Sequence, residues 1–382
     1  MLKSKLPFCS IIVLNYNGEK VIAKCIETLM FLDYPQKNYE IIIVDNNSTD
    51  KSKNIINKFV KNFKYIKKIY LNANYGFSKG NNVGIKAAKG RYIALLNNDA
   101  FVEKNWLKAQ LQVFKENEMV FATTSKIYIL RSLNNSDKFK KQFIQNAGSL
   151  VFQDGYGRDI GSIVDYEHSQ LYEVDKQQYD EIREVYSICG AGCMIRKDLL
   201  EKLGYLDESF FFYYEDTDLS ERARFCGYKL KYVPKAITYH LHSFSSTEWS
   251  PFFIYNAEKG RLLHVYYNFP LRVFINQYLL FLVEGLARLF GVKNIWTSWR
   301  VFRSLAYLFL IIPAYLKIVS SDKKFVVQFK SNIQYLKVSV YFIFNFTKLY
   351  KLRTQRRKFY GEKAITKNYQ EIISGKWYFN LQ

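Results

Sequence analysis

Residues 39–50 read YEIIIVDNNSTD. Ile41, Ile42, Ile43 and Val44 form an unbroken β-branched run that stops on Asp45 and a string of turn-forming residues. A run that is apolar throughout, rather than alternating, is that of a strand covered on both faces. The same pattern recurs on either side, in CSIIVLNYN (9–17) and RYIALLNNDA (91–100). Helical spacing predicts helices over 21–31 and 52–63, with a further strand over 66–71. The loop NANYGFSKGNN (72–82) leads into a helix ending near Gly90, and a helix over 106–117 precedes a strand over 120–125. Alternating strands and helices predict an α/β fold with a mostly parallel sheet. Ligands of such sheets bind outside the carboxyl ends of the strands, where the polar NYN, DNNSTD and NNDA segments collect.

Beyond this alternation the pattern loosens. Residues 126–180 are polar, carry Gly148, Gly155, Gly157 and Gly161, and predict loops with a few short strands. EVYSICGAGCMIRKDLLEKLG (184–204) predicts a strand, a small-residue turn at 190–192 and a helix, and YKLKYVPKAITYHLHS (228–243) predicts two short strands around Pro234. From about residue 251 long helical segments take over, dividing the chain into a sheet domain over 1–250 and a basic helical region over 251–382. The longest apolar run, 305–316, is shorter than the ~20 residues a spanning helix needs and contains Pro313. Arg261, Arg272, Arg288, Arg300, Arg303, Lys317, Lys323 and Lys324 flank the apolar stretches, and Lys351, Arg353, Arg356, Arg357 and Lys358 form a basic tail. Apolar faces edged with cations are those of helices lying in an anionic membrane interface; the plainer alternative is a helical subdomain whose cations are merely solvated.

Composition narrows the class. Lys+Arg 56 against Asp+Glu 34 gives a net charge of +22, which attracts polyanions, lipid head groups or phosphorylated substrates. No RNP, helix-turn-helix or zinc-finger pattern is present, so a nucleic-acid partner is not expected. The five cysteines make no CxxC pair, and no His stands at zinc spacing to them, which predicts reduced thiols in a cytosolic protein. Residues 1–7 lack the apolar core of a signal peptide, and the sequon at 134–136 then carries no meaning.

Two acidic positions are candidates for chemistry. Asp99 directly follows a buried strand, where a carboxylate can bridge a hard divalent cation to substrate phosphates; the alternative is a turn or cap. In FFFYYEDTDLSERA (210–223) five aromatics, Phe210, Phe211, Phe212, Tyr213 and Tyr214, run into Glu215, Asp216 and Asp218. One reading is a helix start, with Asp216 as N-cap and acids in the first turn. The other is a carboxylate set for chemistry beside an aromatic wall.

The ordered set SIIVLNYNG, IIIVDNNSTD, NANYGFSKGNNVGIKAAKGRYIALLNNDA, CGAGCMIRKDLL and FFFYYEDTDLSERARFCGYKLKYVPKAITYH resembles glycosyltransferase family 2 over roughly residues 10–245, most closely its rhamnosyltransferase-like subgroup of surface-polysaccharide assembly. The resemblance implies a GT-A fold, an inverting mechanism and a nucleotide-diphosphate sugar donor, with dTDP-rhamnose first and a UDP-hexose or UDP-HexNAc second, and a glycan or lipid-linked acceptor. It implies that Leu14, Asn15 and Tyr16 flank the base, that Asp45 binds base or ribose, and that Asn74, Gly76, Asn82 and Asn98 shape the nucleotide pocket. Asn97, Asn98 and Asp99 stand at the family's Asp-x-Asp position, one carboxylate short. Asp99 and His240 would hold Mg²⁺ or Mn²⁺, and Asp216 would be the catalytic base. Glu215, Tyr214 and the turn Gly190, Ala191, Gly192 would meet donor or acceptor, while Asp218 and Arg222 would pair structurally. The enzyme is expected at the cytosolic face of the membrane as a peripheral protein. A rival class is a module that holds nucleotide sugars without turnover, which the missing carboxylate favours and the intact Glu-Asp pair disfavours.

Overall fold

The structure, a computed structural model, describes residues 6–130, 142–164, 170–241, 250–289 and 323–379. The apolar run 305–316, Arg300, Arg303, Lys317, the sequon at 134–136 and His242 lie outside these residues. The chain forms two compact units, Met1–Ser245 with Lys363–Gln382, and Ser246–Glu362.

The first unit is built on β1 (Cys9–Asn15), β2 (Tyr39–Asp45), β3 (Ile66–Tyr70) and β4 (Tyr92–Asn97), parallel in the order β3-β2-β1-β4. Helices α1 (Ile22–Met30), α2 (Ser52–Asn62) and α3 (Gly76–Ala87) supply the crossovers. Every residue of β2 is buried, as its unbroken apolar run requires. Helix α1 buries Ile22, Cys25, Ile26 and Leu29, one face at i, i+3, i+4 and i+7. Each buried Ile or Leu stabilises the fold by about 1.5–3 kcal/mol. The register sets Asn15 beside Asp45, and Leu14 beside both Val44 and Asn97, so three strands end nearly level. That alignment makes the polar strand ends one surface.

Past β4 the sheet ceases to be parallel. After β5 (Ala100–Val102), α4 (Trp106–Glu116) and β6 (Val120–Ile129), the short strands β7 (Phe143–Asn146), β8 (Ser149–Val151), β9 (Gly157–Asp159), β10 (Ser162–Val164), β11 (Gln170–Val174) and β12 (Arg183–Glu184) fill the loosely patterned stretch. Strand β13 (Gly192–Arg196) inserts antiparallel between β4 and β6. Helices α5 (Lys197–Leu203) and α6 (Glu215–Phe225) follow, then β14 (Lys229–His240), which runs parallel to β6 and antiparallel to β5. The two strands expected around Pro234 are one: the ladder to β6 slips between Val233 and Ile237. Proline cannot donate to a ladder, and the slip spares it.

The second unit holds α7 (Pro251–Asn268), α8 (Leu271–Leu289) and α9 (Lys323–Tyr360). The Ser250 hydroxyl caps α7 by accepting from the Phe253 amide at 3.2 Å, with Pro251 at the first helical position. Phe281 stacks on Tyr335 and Phe274 on Phe342, joining α8 to α9. Among the described residues no helix is long and apolar enough to cross a membrane. Helices α10 (Glu362–Ile373) and α11 (Lys376–Phe379) return, from Lys363 on, to the first unit, although sequence reading groups residues 251–382 together.

Candidate active site

At the level ends of β1 and β2 the side-chain amides interlock. Asn15 Nδ2 donates to Asp45 Oδ2 at 2.8 Å and to Ser48 Oγ at 3.1 Å, and the Ser48 amide donates to Asp45 Oδ1 at 2.9 Å. Asp45 is fully buried with both oxygens engaged. Asn98 Nδ2 donates to Asn15 Oδ1 at 2.9 Å, tying the β4 turn to β1. Asn46 serves the opposite side: its amide group donates to Asn74 Oδ1 at 2.8 Å and to the Gly76 carbonyl at 3.2 Å, and its oxygen accepts from the Tyr75 amide at 2.9 Å. Leu14 lies under α3, where only the missing side chain of Gly80 makes room: a Cβ there would stand 2.4 Å from Leu14 Cδ1. Tyr16 is exposed at the mouth of this surface.

Asn82 sits elsewhere. Its amide donates to the Leu206 carbonyl at 2.8 Å and its oxygen accepts from the Leu206 amide at 3.1 Å, so it anchors the loop after α5. Gly76 approaches the aromatic run instead of a ligand. It has φ +78°, and a Cβ would stand 2.5 Å from both the ring and the carbonyl oxygen of Phe211. Only glycine takes that conformation at no steric cost. The Phe77 amide donates to the same carbonyl at 2.6 Å. Gly192, in β13, allows the close packing of Ser125 and Thr238, whose hydroxyls a Cβ would meet at 2.6 and 2.9 Å.

The aromatic run folds by an unusual backbone. Phe211, Tyr213 and Tyr214 have φ of 65°, 71° and 71°, the left-handed region that bulky residues avoid. Tyr214, not Asp216, is the residue flanking the start of α6, which places Glu215, Asp216 and Asp218 together in the first turn. Asp216 Oδ2 accepts from the Gly190 amide at 2.9 Å, and Oδ1 accepts from the Thr217 amide at 2.7 Å. Burial pushes the Asp216 carboxyl above its ordinary range, and the backbone amides pull partly the other way. Glu215 is buried. Asp218 and Arg222 pair at 2.9 Å, buried, and the guanidinium also caps α5 by donating to the carbonyls of Leu203, Gly204 and Tyr205.

The two halves meet where Ala191 borders β4. The Asn97 amide donates to the Ala191 carbonyl at 3.4 Å, so the turn that holds Asp216 lies against the turn that carries Asp99. Asp99 Oδ1 stands 3.1 Å from His240 Nε2, and Asn97 Nδ2 stands 3.3 Å from the same nitrogen. His240 Nδ1 stands 2.9 Å from Gln145 Oε1, a contact that turns Nε2 toward Asp99 and Asn97. Asp99 and His240 are an oxygen donor and a nitrogen donor side by side, the pair here that could take part in holding a divalent ion. Among the described residues no group of three or more His, Cys, Asp or Glu fits a metal.

Residues 10–204 match the family model for Glycosyl transferase family 2. The chain belongs to that family. It is 27% identical over 238 residues to the "Probable glycosyltransferase YdaM" of Bacillus subtilis (strain 168), covering 62% of this chain and 51% of the relative. It is 25% identical over 232 residues to a poly-beta-1,6-N-acetyl-D-glucosamine synthase of Staphylococcus epidermidis, covering 61% of this chain and 49% of that one. The chain therefore spans about half the length of these relatives. The crystal structure of GalNAc-T7 with UDP, GalNAc and Mn²⁺ aligns with a TM-score of 0.54 at 16% identity, over 69% of this chain and 48% of that chain, which shows the GT-A fold.

This member of glycosyltransferase family 2 holds one acid near Asp216 that sequence reading does not single out. Asp159, at the end of β9, accepts from Asn146 Nδ2 and from Ser149 Oγ, each at 2.7 Å. Burial raises its carboxyl to about 6, the Ser149 and Asn146 hydrogen bonds lower it, and the nearby Asp216 charge adds to the rise. The β8–β9 hairpin is held to the aromatic run by the Gly157 amide, which donates to the Tyr214 hydroxyl at 3.0 Å. Nothing in RDIGS marks an active-site carboxylate; only the fold brings it near. All five cysteines are free, and burial raises the Cys25 and Cys193 thiols, which disfavours thiolate chemistry. A hollow of about 400 Å³ lined by Leu6, Pro7, Tyr34 and Leu111 opens at the start of β1, the opposite end of the strands from this chemistry.

Proposed function

We propose that this enzyme transfers a sugar, with inversion, from a nucleotide-diphosphate donor to a hydroxyl of a glycan or lipid-linked acceptor. The observation that carries this reading is Asp216, a half-buried carboxylate aimed by the Gly190 amide and adjoining both the aromatic run and the turn of Asp99. In the proposed step the acceptor oxygen attacks the anomeric carbon from the face opposite the diphosphate. The bond to the diphosphate breaks as the new C–O bond forms, and Asp216 takes the hydroxyl proton. A positioned carboxylate contributes ~10²–10⁴-fold to such a transfer, and desolvation makes it a better base. Tyr16 and Asn74 are assigned to the nucleotide, with Asn15 and Asp45 bracing the strand ends beneath it, and Glu215 and Tyr214 to the sugars. Asp99 and His240 would hold Mg²⁺ or Mn²⁺, which supplies charge neutralisation on the leaving diphosphate.

The donor we favour is dTDP-rhamnose, on the resemblance of the motifs. A UDP-HexNAc is the second reading, supported by the name of the Staphylococcus epidermidis relative. Released nucleotide diphosphate, measured across a panel of nucleotide sugars with Mg²⁺ or Mn²⁺, separates the two. Asp216→Asn is expected to bind nucleotide as before while turnover falls ~10²-fold or more. Equal losses of binding and turnover would defeat the assignment.

The helical unit supports a place at an anionic membrane surface on the cytosolic side. Leu271, Ile275, Leu279 and Leu286 form an exposed stripe on α8, and Ile343 and Phe344 on α9 are 68% and 83% exposed. Large apolar side chains left in water beside cations suit an interface. Phe344→Asp is expected to reduce co-sedimentation with anionic vesicles at low salt, and unchanged sedimentation would remove the reading.

A further inference from the structure

The last turns of the chain do something that a basic tail would not. Helices α10 and α11 lie in the sheet unit, against the helix that begins with Glu215 and Asp216. Asn368 Nδ2 donates to the Tyr186 hydroxyl at 2.9 Å and to Glu221 Oε1 at 3.3 Å, and all three side chains are buried. Its oxygen accepts from Arg224 Nε at 3.1 Å, and Arg224 Nη2 donates to Glu371 Oε2 at 3.0 Å. The same guanidinium lies over the Trp377 ring, 4.0 Å from its centroid, and over Tyr186 at 4.8 Å. The Tyr186 hydroxyl also bonds Glu221 directly. Further along, the Tyr369 hydroxyl reaches the Gln153 carbonyl at 3.4 Å, on the turn of the β8–β9 hairpin.

What these contacts join is specific. Tyr186 stands four residues before Gly190, whose amide holds the Asp216 carboxylate. Glu221 and Arg224 stand on α6, at whose first turn that carboxylate lies. Between the two segments Ser220 works in the same direction: its hydroxyl donates to the Asp216 carbonyl at 2.7 Å and accepts from the Ile188 amide at 3.2 Å. A buried polar network joined at this many points resists relative movement of what it joins. Two elements set the Asp216–Gly190 distance, and the C-terminal side chains bind both at once.

We propose that Asn368, with Arg224 and Trp377, is a positioning device for Asp216: a clasp from the end of the chain that fixes α6 against the 186–190 segment so that the base meets the acceptor hydroxyl in register. This rests on the proposed role of Asp216. Displacements of about 1 Å from misplaced supporting groups can cost on the order of 10²-fold in rate. The clasp touches no substrate, so its loss lowers kcat while leaving donor affinity in place.

The test uses the full chain with Asn368→Ala, Trp377→Ala, Trp377→Phe and Asp216→Asn, assayed well below the lowest melting temperature, with UDP and dTDP affinity measured alongside. Asn368→Ala and Trp377→Ala are expected to lose about tenfold or more in kcat, with nucleotide Kd within twofold of the parent. Trp377→Phe keeps a ring for Arg224 and is expected to recover most of the rate. If both alanine variants melt lower yet turn over like the parent, or if Kd weakens in step with kcat, the clasp is structural and the proposal falls. If Asp216→Asn itself retains turnover, the base assignment fails instead, a result distinguishable from the first.

Discussion

The two halves of the site are held together by different means. On the β1–β2 side the parts are joined by side chains: Asn15, Asn46, Asn98, Asp45 and Ser48 exchange hydrogen bonds across strand ends that the sheet register has already levelled. On the α6 side they are joined by the backbone. Gly76, Phe211, Tyr213 and Tyr214 turn through the left-handed region, and Asp216 is held by main-chain amides. A site held by side chains can be loosened one bond at a time, whereas a site shaped by backbone dihedrals tolerates little before it rearranges.

Substitutions on each side put that contrast to the test. Gly76→Val is expected to be the most damaging, because its Cβ has no space between the Phe211 ring and carbonyl and the conformation itself is strained. A loss of about 3 kcal/mol or more in unfolding free energy, with activity gone, is expected from denaturant titration; a variant within about 1 kcal/mol of the parent would mean that the backbone side is as forgiving as the other. Asn46→Ala is expected to cost about 2 kcal/mol, since it deserts a half-buried amide and a buried carbonyl, and to weaken nucleotide binding measured by calorimetry.

Asp159→Asn links the halves through pH. The Asp159 carboxyl is raised from 3.8 to about 6, so the folded state binds the extra proton and this group's stabilisation, complete below pH 4, is lost as pH rises through 6. The variant is therefore expected to melt higher than the parent at pH 7.5, by about 1–2 kcal/mol, and to match it near pH 4. A constant offset would show that burial and Asp216 do not act on it. Smallest of all is Tyr214→Phe, which removes the hydroxyl that accepts from Gly157 and should cost about 1 kcal/mol or less, read by thermal melting.

The same contrast explains what could be read in advance. Ile41–Val44 and its neighbours reveal the parallel half, because burial on both faces leaves a continuous apolar run, and the acids and amides that end each run point to the site. Asp218 with Arg222 is legible because a helix puts i and i+4 side by side. The antiparallel half is not: the insertion of β13 between β4 and β6 depends on pairings far apart in the chain, and β8–β9 is too short to carry a pattern. Asp159 becomes visible only when that hairpin folds toward Asp216. Asn82 reads as a pocket residue in a Gly- and Asn-rich loop, yet it lies within α3 and reaches Leu206, a contact no local signal announces. Asn368 and Trp377 read only as members of the basic helical region 251–382, because nothing local distinguishes a side chain that docks from one that is solvated.

One further consequence follows from the pairing of Ala100 with His240. Asp99 precedes that pair, and its carbonyl accepts from the Leu241 amide at 2.9 Å, so main-chain bonds on both sides set the gap between the carboxylate and the imidazole. That gap is a property of the sheet more than of either side chain. Exchanging one of them would change the chemistry on offer while the ruler between them kept its length, and any ion the two were to share would be selected by size before it was selected by charge.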